Sequence, residues 1–152
     1  MTSETLTAAT GRAVVFTLGG ERYGIPLDSV QEVQQLVAIS TAGEKVAPVL
    51  GTISVRGEIA PVIDLRAVVG LAAAELSAET PMLICRARGG LVALLADTVD
   101  DVIALPHEAI RQIPSLHPLA GRIAGACRVD GATLWLIDVD ALVSGIAVHE
   151  AV

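Results

Sequence analysis

Aromatic side chains are scarce in this chain: one Phe, one Tyr and one Trp in 152 residues, although 53% of the residues are hydrophobic. A core must therefore be filled by Val, Leu, Ile and Ala, a β-branched mixture that suits strands better than helices. Lysine is nearly absent too. Lys45 stands alone beside nine scattered arginines, and 10 cations against 17 carboxylates leave a net charge of −7. Nucleic acid and anionic membrane surfaces need clustered basic residues, so neither is expected as a direct ligand. Long apolar runs are missing as well, since Leu91–Ala96 and Ala67–Ala74 fall well short of the roughly 18 residues of a membrane helix. The segment 1–12 has no basic leader followed by an apolar stretch and reads as a flexible tail, which points to the cytoplasm. Cys85 and Cys127 sit apart in strand-like runs and are read as small buried hydrophobes, without a disulfide or a metal site.

What the chain does have is internal repetition. Gly51-Thr-Ile-Ser-Val-Arg-Gly-Glu-Ile-Ala-Pro-Val-Ile-Asp64 is echoed by Gly125-Ala-Cys-Arg-Val-Asp-Gly-Ala-Thr-Leu-Trp-Leu-Ile-Asp138 at a shift of 74 (125 − 51). Upstream, Gly20 to Val33 aligns with Gly89 to Val102 at a shift of 69 (89 − 20), so five residues are inserted between the two blocks of the second copy. A register held over both blocks means two copies of one supersecondary unit.

Each copy carries short strand signals broken by glycine. Ala13–Leu18, Gly19-Gly20 and Arg22–Leu27 read as a hairpin, as do Pro81–Arg86, Gly89-Gly90 and Leu91–Ala96. Asp28–Val33 and Asp97–Val102 suggest a turn entering a short strand or a single helical turn. Arg56-Gly57 and Asp130-Gly131 mark the tips of two later hairpins, each followed by Asp64 or Asp138 and about one helical turn. Close-spaced short strands with glycine turns describe a small barrel. Two copies predict an all-β chain of two small barrels packed together, the first roughly 13–70 and the second roughly 81–145, with a possible exchange of strands and a tail over 146–152. Residues 71–80 read as a linker or short helix, and 103–119, with three prolines, as a long surface loop.

Chemistry is harder to find. A duplicated β protein with Asp28 and Asp97 in matching places raises an acid hydrolase built on paired carboxylates. Such sites need a glycine two residues on, where this chain has Val30 and Val99, so these aspartates are expected to accept backbone hydrogen bonds in turns. His107, His117 and His149 show no ligand spacing. No phosphate loop or nucleophile elbow is present, and neither catalysis, metal nor cofactor is expected. Arg56 stands out instead. It occupies a hairpin tip where the second copy has Asp130, so the repeat diverges in charge at an exposed point, and arginine suits interface contacts.

The same segments resemble the CheW-like domain family, the coupling proteins of bacterial chemosensory arrays. Gly51 to Arg66 is similar to the family's central motif, with Ser54 where the family usually has Asn; Tyr23 to Val33 resembles the segment after its first hairpin, and Leu95 to Ile103 its matching segment in the second half. The resemblance covers roughly residues 13–143. It implies two SH3-like five-stranded β-barrels with short helical turns, no catalytic activity, and a role as an adaptor between the cytoplasmic tip of a chemoreceptor (a methyl-accepting chemotaxis protein) and the regulatory domain of the chemotaxis histidine kinase. It also implies that Arg56, Gly51, Val30 and Glu32 lie at receptor and kinase contacts, with Val99 and Val102 contributing apolar positions of the same surface. A scaffold for gliding, pilus motility or development would read the same way. With no kinase or receiver sequence in the chain, a stand-alone adaptor recruited to receptor arrays is expected.

Overall fold

A computed structural model of the chain describes residues 11–40, 48–73, 75–105, 108, 110–112 and 123–150. Residues 1–10, His107, His117 and most of the proline-bearing segment lie outside these. The described residues hold ten strands: β1 Arg12–Leu18, β2 Glu21–Pro26, β3 Val30–Gln35, β4 Val49–Val55, β5 Glu58–Asp64, β6 Pro81–Ala87, β7 Gly90–Leu95, β8 Thr98–Ala104, β9 Ile123–Val129 and β10 Ala132–Ile137. A 3-10 turn, Leu27–Ser29, precedes β3, so both of the elements suggested for that segment occur in sequence. The described residues of 71–80 form a linker without helix, turning at Ser77–Thr80, where Ser77 N donates to Thr80 Oγ1 and Thr80 N to Ser77 O.

The strands form two five-stranded sheets, β8-β1-β2-β10-β9 and β3-β6-β7-β5-β4, each rolled into a small barrel. Pairing is antiparallel except for β5 with β7 and β10 with β2. Advancing β1, β2 and β3 by 69 residues, and β4 and β5 by 74, carries them onto β6 to β10. The same operation turns one sheet order into the other, so the two sheets are related by the repeat. Neither sheet comes from one copy, however. The first takes β1 and β2 from the first copy and β8 to β10 from the second; the other takes the complement. The exchange is reciprocal and involves whole hairpins.

Irregularities repeat as well. Gln31 in β3 and Asp100 in β8 are skipped by their partner strands, which are bulges at equivalent positions, 69 apart. Leu50 and Ala124, 74 apart, are skipped in β4 and β9. Beyond β3 the chain returns to β4 as the bridge Ser40–Thr52, and Arg111–Ala126 is its counterpart. Since 111 − 40 is 71, two of the five inserted residues precede Arg111 and three follow it.

Burial follows the pleat. In β1, Ala13 and Val15 face the interior of the first barrel, while Val14, Phe16 and Leu18 face a central core. In β6, Met82 and Ile84 face the second barrel, and Leu83 and Cys85 the central core. That central core joins the sheets and holds Phe16 stacked on Tyr23 at 5.9 Å between ring centres. Both cysteines are buried, on β6 and β9.

Among the described residues two α-helices complete the fold. In α1, Leu65–Val68, Asp64 caps the turn by accepting from Arg66 N at 3.0 Å. In α2, Val139–Glu150, Asp138 accepts from Ala141 N at 3.3 Å. The sequence suggests only one turn here, ending near Gly145 with a tail beyond. The helix instead passes through the glycine, because Val139, Leu142 and Ile146 recur at helical spacing and are buried in the central core.

Candidate partner-docking site

The β4–β5 turn has two residues, Arg56 and Gly57, at φ +50° and +85°. Two positive φ values in succession describe the turn whose twist matches a right-handed hairpin, and it favours Asn, Asp or Gly at its first position. Asp130 at φ +51° fits that preference. Arginine at Arg56 does not, and a non-glycine residue in this region costs about 1–2 kcal/mol. Strain kept at an exposed turn calls for a reason outside the turn.

The side chain of Arg56, 72% exposed, reaches back to β3, where Nη2 lies 3.0 Å from Glu32 Oε2. Glu32 Oε1 accepts from Gln34 Nε2 at 2.6 Å. Oε2 is shut off from water and receives no well-directed donor, so the Arg56 contact is one of charge. The two residues belong to opposite edges of their sheet, since β3 is first and β4 last in its strand order. Glu32 and Arg56 therefore meet where the barrel closes. A second fork lies on the same barrel: Arg86 on β6 donates to both carboxylate oxygens of Glu58, at 3.0 and 3.1 Å, and to Gln31 Oε1 at 3.3 Å.

The remaining predicted residues divide. Gly51 lies in β4 at φ +150°, and a Cβ there would stand 2.3 Å from Ser40 O and 2.6 Å from Ile39 Cγ2, so glycine lets the chain after β3 approach. Val30 shares β3 with Glu32, but the bulge at Gln31 turns them to opposite faces: Val30 pairs with Cys85 of the central core, Glu32 with Ile84 of the barrel interior. Val99 is half-buried at the rim of the central core, and Val102 is 46% exposed, both on β8 in the other sheet. Arg56 and Glu32 are brought into direct contact.

Reading the residues one by one missed Val33, also 46% exposed. It is the equivalent of Val102 at the 69-residue shift, so the repeat itself carried the signal. Ile59, 74% exposed beside Glu58, is a second exposed apolar residue near the turn. The repeat also exposes an asymmetry. Where the first half has Glu32 and Arg56, the second has Asp101 and Asp130, and where it has Gln31 the second has Asp100. The matched segments thus differ in charge, mixed in the first half and acidic in the second.

The hydrolase reading finds no geometry. Asp97 Oδ2 is held by Arg66 Nη1 at 2.7 Å and by Gly19 N at 2.9 Å, while Asp28 is exposed on the 3-10 turn. A dyad sharing a proton needs a second carboxylate where Asp97 has a guanidinium. Among the described residues no group of three potential metal ligands occurs, and no helix is long and apolar enough to cross a membrane. Burial pushes the Cys85 thiol up to about 12 and raises Cys127 as well, the opposite of what a reactive thiolate needs.

Arg56, a cation at positive φ, thus stands where its barrel closes, against Glu32. Comparison with known proteins agrees with this architecture. The family model for the CheW-like domain matches residues 12–147, and the chain belongs to that family. Over 133 residues it is 28% identical to a probable chemotaxis protein CheW of Rhizobium etli, covering 86% of each chain. It is also 28% identical over 133 residues to the chemotaxis protein CheW of Klebsiella aerogenes, covering 86% of this chain and 80% of that one. The crystal structure of the scaffolding protein TtCheW from Thermoanaerobacter tengcongensis superposes with a TM-score of 0.79 at 28% identity, over 87% of this chain and 86% of that one.

Proposed function

We propose that this protein is a non-catalytic chemosensory adaptor that couples the cytoplasmic tip of a chemoreceptor to the regulatory domain of the chemotaxis histidine kinase. The observation that carries the reading is the Arg56–Glu32 pair: an arginine held at unfavourable φ, exposed, and aimed at a carboxylate across the closure of its barrel. Family membership supports the chemotaxis assignment, as do relatives named for chemotaxis and a neighbour described as a scaffold. The adaptor works in the cytoplasm, at receptor arrays.

Docking uses Arg56 and Glu32 for orientation and Val30, Val99 and Val102 for apolar contact, with Gly51 keeping β4 close to the chain that follows β3. Exposed Val102 and half-buried Val30 and Val99 give a partner area to cover without reorganising the core, and a fixed charge pair sets direction. Isothermal titration against a soluble receptor-tip fragment, and separately against the kinase regulatory domain, tests this. Each should bind, and Arg56→Glu should weaken at least one by about tenfold or more, ~1.4 kcal/mol, with unchanged circular dichroism. Equal affinities for both variants would remove Arg56 from the docking surface.

A further inference from the structure

Among the described residues, each half of the chain alone holds two hairpins, β1–β2 with β4–β5, or β6–β7 with β9–β10. Every other strand ladder runs between halves: β1 to β8, β2 to β10, β3 to β6 and β5 to β7. Isolated hairpins are marginal in water, so the sheets exist only through the association of the halves. Side chains repeat the pattern. Arg66 with Asp97, Arg86 with Glu58, and Thr17 with Asp100 all cross from one half to the other.

One covalent passage, residues 70–80, joins the halves. Asp64 is paired with Leu95 and Leu95 with Met82, so the strands it connects end only two ladder spacings apart, ~10 Å. Its eleven residues extend to as much as ~36 Å. At its start Gly70 N and Leu71 N donate to Ala67 O and Arg66 O, Leu71 packs against the central core and Ala72 O accepts from Arg66 Nε; at its end Leu36 N donates to Thr80 O.

We infer that the two halves are complementary subunits in one chain, and that a second copy of this chain is a partner through reciprocal exchange of halves across residues 70–80. Every ladder and cross-half ion pair is then kept, with the linker crossing between copies instead of closing within one. Arg56 and Glu32 lie in the first half, Val99 and Val102 in the second, so an exchanged dimer carries two complete docking faces and engages partners bivalently. Closure within one chain dominates below the millimolar effective concentration that a short linker supplies.

The test is refolding of the wild-type chain from denaturant at millimolar and at micromolar concentration, followed by size exclusion with light scattering. The concentrated sample should yield a species of twice the monomer mass with the monomer's circular dichroism. Its differently labelled chains should re-sort only after unfolding. Monomer at every concentration, or a dimer that dissociates on dilution without unfolding, overturns the inference. A specific protease site placed after Ala73 gives an independent reading: the cleaved halves should co-elute at monomer mass with unchanged circular dichroism, and their separation would equally overturn it.

Discussion

At the scale of one residue, the docking role proposed for Arg56 can be separated from stability. Its backbone conformation costs about 1–2 kcal/mol. Its ion pair with Glu32, with the arginine 72% exposed, returns less than about 1 kcal/mol. Arg56→Asn relieves much of the first and loses the second, so the midpoint of urea unfolding should move by no more than the equivalent of ~1 kcal/mol. A loss beyond ~2 kcal/mol would make Arg56 a structural residue. Cys85 gives the opposite case, a group that serves only the core. Its thiol is pushed up from 9.0 to about 12 by burial. Below pH 9 it is protonated whether the chain is folded or not, and its contribution is complete. Between pH 9 and 12 the unfolded chain loses the proton first, so stability falls as pH rises, by an amount on the order of a few kcal/mol. Tyr23, raised by burial and by Glu21, adds to the same trend above pH 10. Urea midpoints measured from pH 8 to 11 should fall less steeply in Cys85→Ala, and an unchanged slope would contradict this account.

At the scale of the element, the two equivalent glycines of β4 and β9 are tests of how closely the chain beyond the third strand of each copy approaches. A Cβ at Gly51 meets Ser40 O at 2.3 Å with φ at +150°, whereas one at Gly125 meets Arg111 O at 2.9 Å. Gly51→Ala should therefore cost more than Gly125→Ala, about 2–4 against 1–2 kcal/mol by thermal unfolding. The reverse order would mean that the two bridges are not equivalent. These elements were largely legible beforehand, because glycine turns and the two shifts locate strand ends in both copies. The bulges were not. Alternation puts Val30 and Glu32 on one face, and only the residue skipped at Gln31 turns them apart. The extent of α2 was also hidden, since Gly145 looks like a stop until Ile146 is seen buried behind it.

For the whole molecule, the repeat announced two barrels and left their composition open. Which hairpin joins which sheet depends on pairings between residues as distant as Arg12 and Ala104, and one sequence carries no record of them. The candidate site shows the same division. Resemblance singled out Arg56 and Glu32, but their meeting at 3.0 Å across the barrel closure belongs to the fold. Val33 and Val102 are exposed at equivalent positions beside segments that differ in charge, and under the proposed function these related faces serve two different partners. Bridging is the property that distinguishes such a scaffold from a simple binder. It is measured by adding the chain to immobilised receptor-tip fragment and recording how much kinase regulatory domain is retained. Wild-type chain should raise retention in proportion to its own binding, and Arg56→Glu should require about tenfold more chain for the same effect. Retention that does not depend on the chain, or equal retention with both variants, would contradict the account.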